Sequence, residues 1–305
     1  MISVVICSHN PNENYFRRVL AALRAQTLPT KDWELLVIDN ASKTRLEFSW
    51  DLSWHRNARH VREEKIGLTQ ARLCGIRESA GELVVFVDDD NVLSEDYLSV
   101  AVEISRAYRQ IGAFGASTKG EFEEPPPAWM ERYLWALAIR ELKRDYWSNI
   151  LAGSDAVPFG AGLCVRRVVA EDYERKSRAN PMRTSLGRTG AGMGSCEDID
   201  LAWCAIDLGM GTGSFRALQL THLIPSRRLT KDYIASVVAG LAASDEIMAS
   251  FRPGEGPKPN APEFLRFAWQ MLRGSAFDRR MLLESRRERK RAREFLAGKR
   301  KSIEL

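Results

Sequence analysis

Short, uninterrupted apolar segments alternate with helical patterns along the N-terminal third of this chain. The apolar segments cover residues 2–7, 33–38 and 83–87. Residues 12–26 place apolar side chains at the spacing of one helix face, and residues 69–80 also have a helical pattern. Because the strands are apolar on both faces, the alternation predicts a mostly parallel sheet with helices on both sides. The chain is therefore expected to adopt an α/β fold.

Polar residues follow each predicted strand. Ser8 and Asn10 follow the first, Asp39 follows the second, and residues 88–90 follow the third. Ligands of open parallel sheets bind outside the carboxyl ends of the strands. We therefore expect these side chains to share one edge of the sheet and to form a ligand site there.

Three consecutive aspartates, Asp88, Asp89 and Asp90, are the most specific chemical signal in the chain. Adjacent carboxylates repel one another unless a cation compensates them. Oxygen ligands on a loop suit Mg²⁺ or Mn²⁺ that is also held by substrate phosphates. The alternative is a solvated acidic turn. Because a fully apolar strand precedes the aspartates, we favour the metal site.

Four further residues are candidates for function. Arg72 belongs on the helix that follows residues 65–67, where it either faces the sheet edge or forms a surface ion pair. Glu197 and Asp198 begin a predicted helix; they either complement its dipole or act on substrate, with Asp198 as general base. His222 has apolar neighbours and is either a core residue or a metal ligand.

The middle of the chain gives weaker signals. Residues 125–127 are a rigid run of prolines, residues 158–165 are predicted to form a strand, and residues 176–195 a loop. The glycines in 190–194 and 209–213 lack the third position of a dinucleotide-binding fingerprint. They do not predict that type of site.

The positive charge lies almost entirely at the C-terminal end. Residues 1–250 hold 30 basic and 33 acidic side chains, whereas residues 251–305 hold 15 and 7. Such a segment favours an anionic partner. Residues 263–301 interleave apolar and basic side chains, so they either lie on an anionic membrane or pack on the catalytic domain or on the second subunit of a homodimer.

Several classes of protein are excluded by composition. Five cysteines without a CxxC pair form neither a disulfide framework nor a zinc site. No apolar run approaches the roughly 20 residues of a membrane span, and the N-terminus lacks the basic region of a signal peptide. We expect a cytoplasmic protein, held peripherally on the inner face of the cell membrane if the basic segment binds lipid.

Six segments, taken in order, resemble the family 2 glycosyltransferases of the GT-A fold. They are ISVVICSHN, ELLVIDNAS, KIGLTQARLCGIRESAGELVVFVDDDN, PFGAGLCVRR, GSCEDIDLAWCAIDLGMG and THLIPSRRLTKDY. The resemblance implies a catalytic domain over residues 1–235, with a nucleotide-sugar half at 1–120 and an acceptor half at 121–235. Residues 236–305 then form a basic, helical C-terminal extension.

The resemblance also implies which residues bind the nucleotide-sugar donor. They are Ser8, Asn10, Asp39, Arg72, Asp88 and Asp89. Asp39 corresponds to the nucleobase ligand and Asp88 to a nucleoside ligand of the family. His9 stands where the family often has an aromatic residue, so base stacking is not implied.

For the reaction itself, the resemblance implies that Asp90 and His222 ligate Mn²⁺ or Mg²⁺. Asp198 is the implied base that deprotonates the acceptor hydroxyl, with inversion at the anomeric carbon, and Glu197 binds the acceptor. The expected donor is a UDP-sugar. The expected acceptor is a glycan or lipid-linked glycan of surface polysaccharide biosynthesis.

Two other functions compete with this interpretation. A nucleotidyltransferase acting on a sugar phosphate also uses an aspartate-rich strand end and Mg²⁺, but it needs neither Asp198 nor His222. A non-enzymatic nucleic-acid-binding protein would use the basic C-terminal segment and would bind with steep salt dependence. It leaves the acidic cluster unexplained, and nucleic acid is therefore not an expected partner.

Overall fold

The computed structural model describes residues 1–151, 155–189, 194–252 and 269–298. These residues form a nine-stranded sheet with helices on both faces. The strands are β1 (Ile2–Ser8), β2 (Trp33–Asn40), β3 (Ala58–Glu63), β4 (Leu83–Asp88), β5 (Asn91–Leu93), β6 (Ile111–Phe122), β7 (Tyr146–Ser148), β8 (Cys164–Arg166) and β9 (Gly211–Ile224). The α-helices are α1 (Glu13–Arg24), α2 (Leu68–Glu78), α3 (Tyr97–Ala107), α4 (Arg167–Ala179), α5 (Glu197–Asp207), α6 (Lys231–Phe251) and α7 (Ala276–Leu296).

The strand order is β3-β2-β1-β4-β8-β6-β9-β5, and β7 also pairs with β9. The four neighbouring strands β3, β2, β1 and β4 are parallel, which confirms the predicted parallel order of β1, β2 and β4, whereas β3 was not predicted. Strand β8 is antiparallel to both of its neighbours. In this register Ser8 lies opposite Asp39 and Cys7 lies opposite Asp88. The carboxyl ends of β1, β2 and β4 therefore meet at one edge.

Alternate side chains of the central strands enter two separate cores. Val4, Ile6 and Val85 pack on the side of α1 and α3, whereas Val5 and Phe86 pack on the side of α2, α4 and α5. All of these side chains are buried, which confirms that the sheet is covered on both faces. The helices thereby hold the strand ends, and the polar residues on them, in fixed positions.

The structure departs from the sequence prediction in several features, and the strands β3, β5, β6, β7 and β9 were not predicted. Ser94 is a good N-cap residue and predicts a helix directly after it, whereas α3 begins at Tyr97, and its Leu98 backbone N–H donates a hydrogen bond to the Gln26 side chain. Residues 158–165 form a strand only from Cys164 onward, since Gly162 adopts a φ of +68° and turns the chain. The predicted loop 176–195 is shorter, because α4 continues to Ala179 and a 3-10 turn follows.

The C-terminal helices pack on the rest of the protein. Phe277 and Met281 of α7 are buried against Met130 and Tyr133. For residues 276–296 the structure thus shows the packing alternative, whereas residues 263–268 and 299–301 of the predicted basic segment lie outside the described residues. The predicted divisions at residues 120 and 235 fall within β6 and α6.

Helix α6 is long and apolar enough to cross a membrane by length and composition alone, which the sequence interpretation did not anticipate. Its most apolar 18-residue stretch is 56% buried within the protein. Ile234 and Ile247 belong to two different packed clusters. The helix is therefore accounted for by packing inside the fold.

The five cysteines, Cys7, Cys74, Cys164, Cys196 and Cys204, are all buried and free. None forms a disulfide, as predicted. Burial raises the pKa of each thiol, so the thiols are neutral near pH 7 and act as small apolar side chains.

Candidate functional site

A cavity of about 950 Å³ opens at the carboxyl edge of the sheet. Strands from the parallel half, α5 and the end of β9 all contribute to it. Nine of the ten predicted site residues line it: Ser8, Asn10, Arg72, Asp88, Asp89, Asp90, Glu197, Asp198 and His222. The structure therefore brings together side chains that are up to about two hundred residues apart in sequence.

Asp39 is the exception, because its buried carboxylate does not line the cavity. It is 3% exposed and accepts hydrogen bonds from the Ser42 and Leu46 backbone N–H groups, at 3.0 and 3.1 Å. Arg62 Nη1 lies 2.8 Å from the same carboxylate. Although burial opposes it, these hydrogen bonds and Arg62 lower the pKa of Asp39. In this structure, Asp39 fixes the loop after β2.

Asn10 and Asn40 hold the cavity rim together, and sequence reasoning assigned no role to Asn40. Asn40 Oδ1 accepts a hydrogen bond from the Gly67 backbone at 2.8 Å, and its Nδ2 donates to the Lys65 carbonyl at 2.7 Å. Asn10 Oδ1 accepts a hydrogen bond from the Lys43 backbone at 2.9 Å. Asn40 directly follows Asp39 at the end of a predicted strand, and this position is the sequence signal that could have identified it as a site residue.

The three consecutive aspartates start at the end of β4, next to Ser8 at the end of β1. Ser8 Oγ donates a hydrogen bond of 2.5 Å to Asp89 Oδ2. Burial and the neighbouring charge of Asp90 raise the pKa of Asp89 to about 7, against the effect of Ser8. The cluster thus carries less negative charge at neutral pH than three independent carboxylates would.

Asp90 and His222 lie side by side because β5 pairs with β9. In that pairing Asn91 lies opposite His222, and Asp90 Oδ2 is 3.3 Å from His222 Nε2. Arg228 Nη1 lies 3.1 Å from the same carboxylate oxygen. Burial raises the pKa of Asp90, but His222 and Arg228 outweigh burial and lower it well below its usual range.

These two side chains fit a divalent cation. His222 Nδ1 lies 2.9 Å from the Leu137 carbonyl oxygen, so in the neutral imidazole that binds a metal an N–H there donates to the carbonyl, and the lone pair is on Nε2, on the side of Asp90. Ligand atoms 3.3 Å apart can both reach a metal at about 2.0–2.2 Å. A carboxylate oxygen and an imidazole nitrogen also suit Mn²⁺ or Mg²⁺ completed by phosphate oxygens.

Arg72 links the end of β4 to α5. Its Nη1 is 3.2 Å from Glu197 Oε1, and its Nη2 is 3.5 Å from Asp88 Oδ1. The guanidinium is 2% exposed and lies 5.5 Å over the Phe86 ring. The surface-ion-pair alternative for Arg72 is therefore wrong. Burial and the charge of Asp198 raise the pKa of Glu197 to about 7, although Arg72 opposes this.

Asp198 stands at the first turn of α5 with one oxygen fixed by Gly160. The Gly160 backbone N–H donates to Asp198 Oδ2 at 2.6 Å, and Ile199 N–H donates to Oδ1 at 2.9 Å. A β-carbon on Gly160 would lie 3.1 Å from Asp198 Oδ2 and 2.6 Å from Arg72 Nη2. The close approach of this backbone therefore favours glycine, because a β-carbon here would displace Arg72 or Asp198.

A buried ion-pair network behind the cavity holds α5, and sequence reasoning missed it. Asp200 is fully buried, with Arg183 Nη1 at 2.7 Å and Arg252 Nε at 2.9 Å. Arg252 also pairs with Asp207 at the other end of α5. The network ties α5 to the end of α6, and no local sequence pattern signals it.

The glycosyl transferase family 2 model matches residues 3–167 of the chain. Two curated relatives are each 30% identical to the chain: glycosyltransferase AglE of Haloferax volcanii over 92 residues, and glycosyltransferase GlyA of Streptococcus pneumoniae over 102 residues. The matches cover 29% and 32% of this chain and 30% and 14% of the relatives. The chain thus spans less than a third of the curated relatives it matches.

Solved structures show the same fold at low identity. S. aureus TarS 1–349 in complex with UDP-GlcNAc superposes with a TM-score of 0.53 and 16% identity, covering 95% of this chain and 81% of that one. GalNAc-T7 with UDP, GalNAc and Mn²⁺ gives a TM-score of 0.51 and 17% identity, covering 90% and 56%. These likenesses confirm the predicted GT-A architecture.

Proposed function

This chain belongs to glycosyl transferase family 2, and on that premise we propose that it transfers a sugar from a nucleotide-diphosphate donor to a hydroxyl group, with inversion at the anomeric carbon. One observation carries the proposal. A single cavity holds the Asp198 carboxylate, the Arg72 cluster and the Asp90–His222 pair. A base, donor-binding groups and a cation site are the parts that such a transfer needs.

The donor is proposed to be a UDP-sugar. Ser8, Asn10, Arg72, Asp88 and Asp89 line the cavity at the carboxyl ends of β1 and β4 and on α2, where a nucleotide would bind. The TarS and GalNAc-T7 structures carry UDP-GlcNAc and UDP, respectively. Asp39 contributes by holding the loop after β2. A direct hydrogen bond between its carboxylate and the nucleobase would require this loop to move, because the carboxylate is buried.

Asp90 and His222 are proposed to hold Mn²⁺ or Mg²⁺. When bound, the cation neutralises the departing diphosphate. The chain's own contribution is to fix both ligand atoms in advance. The Leu137 carbonyl orients the imidazole at 2.9 Å, and Asn91 Nδ2 donates to Asp90 Oδ1 at 3.0 Å.

Asp198 is proposed to take the proton of the acceptor hydroxyl. As the hydroxyl oxygen bonds to the anomeric carbon, the bond from that carbon to the diphosphate oxygen breaks, and Asp198 keeps the proton. The Gly160 N–H holds one carboxylate oxygen, which leaves the carboxylate oriented but not neutralised. Glu197 lies beside it and is proposed to bind the acceptor.

A donor screen tests this function. The wild-type protein is incubated with nucleotide sugars, with and without Mn²⁺ or Mg²⁺, and nucleoside diphosphate release is measured. We expect a metal-stimulated release that Asp90→Asn lowers at least about tenfold and that Asp96→Asn, a surface aspartate outside the cavity, leaves unchanged. If no nucleotide sugar releases nucleoside diphosphate, but a nucleoside triphosphate and a sugar phosphate together yield pyrophosphate, the protein is a nucleotidyltransferase. No metal stimulation with any donor would contradict the metal assignment.

We also propose that the acceptor is a glycan or lipid-linked glycan of a surface polysaccharide, reached at an anionic membrane. Trp269 and Leu272 are 58% and 80% exposed, and Arg273 lies beside them. Exposed apolar groups among basic ones favour an anionic lipid surface. Phe277 and Met281 are buried in the fold, so they take no part in this contact.

A further inference from the structure

Arg228 lies between the two proposed metal ligands. Its Nη1 is 3.1 Å from Asp90 Oδ2 and 3.1 Å from His222 Nε2, and those two atoms are 3.3 Å from each other. One guanidinium nitrogen therefore faces both ligand atoms at once. Arg228 ends the 3-10 turn Ser226–Arg228 directly after β9, and its side chain is 16% exposed. Neither the sequence motif nor the proposed reaction assigns it a role.

We propose that Arg228 is an internal counter-ion that competes with the divalent metal for Asp90 and His222. The inference rests on the proposed metal site. A metal bound to both ligand atoms at about 2.0–2.2 Å would occupy the space that the Arg228 Nη1 hydrogen atoms now point into. Two positive groups cannot share that space, so the metal enters only when Arg228 leaves. The metal alone therefore binds weakly.

The diphosphate of the donor gives Arg228 a new partner. Phosphate oxygens accept paired hydrogen bonds from guanidinium groups, and Arg228 lines the same cavity as Asp88 and Asp89. A nucleoside diphosphate thus removes the competitor and supplies further metal ligands at the same time. Metal and nucleotide are therefore expected to bind with positive coupling, which must be equal for both ligands.

Mn²⁺ binding measured by calorimetry tests this role without relying on activity. Wild type, Arg228→Met and Arg227→Met are titrated with Mn²⁺, with and without UDP. Arg227 lines the same cavity and is exposed, but among the described residues it forms no ion pair with Asp90. Its variant therefore removes the same charge without removing a contact to the metal ligands. We expect Arg228→Met to tighten Mn²⁺ binding without UDP by about tenfold. UDP should improve Mn²⁺ binding much less in this variant than in wild type.

Two results would overturn the competition. The first is an unchanged Mn²⁺ affinity in both Arg228→Met and the better-tolerated Arg228→Gln, while Asp90→Asn abolishes binding; the metal site would then stand without its competitor. The second is an equal increase in Mn²⁺ affinity in Arg227→Met and Arg228→Met, which would mean that the loss of one positive charge explains the effect and that the position of Arg228 does not. If wild type and every arginine variant fail to bind Mn²⁺ even with UDP, the proposed metal site fails together with the inference.

Discussion

Gly160→Ala is the substitution that most selectively disturbs the proposed catalytic geometry. Gly160 has no positive φ, so alanine is compatible with its backbone. The added methyl group would lie 2.6 Å from Arg72 Nη2 and 3.1 Å from Asp198 Oδ2. It therefore presses on the proposed donor-binding arginine and on the proposed base at the same time.

The required displacement can be estimated from these distances. Arg72 Nη2 has to move by roughly 0.8 Å to reach an ordinary contact of 3.4 Å. Arg72 is 2% exposed and held by Glu197 at 3.2 Å, so it cannot swing into solvent. Overpacking of this kind costs about 1–3 kcal/mol of stability. A misplacement near 1 Å at a reacting group costs about 10²-fold in rate.

The assay compares kcat/KM for sugar transfer with the midpoint of urea denaturation. Gly112→Ala is the matched control, because its added carbon would lie 2.6 Å from Ala205 in the apolar core, outside the cavity lining. We expect both variants to lose stability, but only Gly160→Ala to lose about 10²-fold in kcat/KM per folded molecule. Equal kcat/KM in the two folded variants would refute the placement of Arg72 and Asp198.

Three further predictions concern pH, the buried network and the membrane. Burial and Asp198 raise the pKa of Glu197 to about 7 from 4.5, so the folded protein binds the extra proton and its stability falls as pH rises between these values. Urea titrations should show that Glu197→Gln removes up to about 3 kcal/mol of this fall; an identical pH slope would contradict it. Asp200→Asn leaves Arg183 and Arg252 facing a neutral amide, and chemical denaturation should show a loss of roughly 3–5 kcal/mol; a change within about 0.5 kcal/mol would mean that the network stores little stability. Replacing Trp269 and Leu272 by alanine should reduce co-sedimentation with anionic vesicles several-fold but leave the urea midpoint unchanged; undiminished co-sedimentation would remove the membrane contact.

The sequence pattern predicted three of the four parallel strands, β1, β2 and β4, because their apolar runs are local signals. It missed β3, whose side chains are only partly buried. The α1 residues Phe16, Val19, Leu20 and Leu23 are buried as their spacing requires. Residues at strand ends were predicted to converge because parallel order alone brings strand ends together. This explains why Ser8, Asn10 and residues 88–90 line one cavity.

Other features depend on contacts between distant segments. Arg228 reaches Asp90 only because β5, a three-residue strand, pairs with β9. Asp39 was expected to face the ligand, but the loop after β2 folds over it and supplies two backbone donors. The run around Gly160 has strand-like composition, yet Gly162 turns it away from the sheet. None of these contacts leaves a periodic signal.

Asp198 is proposed to act on the acceptor and not on the donor. The direct test is Asp198→Asn, with the Kd for UDP and the kcat for sugar transfer measured on the same preparation. Asparagine keeps the shape and the hydrogen bond from Gly160 but cannot take a proton. We expect UDP affinity within about twofold of wild type and transfer reduced by about 10²–10⁴-fold. Full transfer, or a parallel loss of UDP binding, would contradict the role of Asp198 as the base.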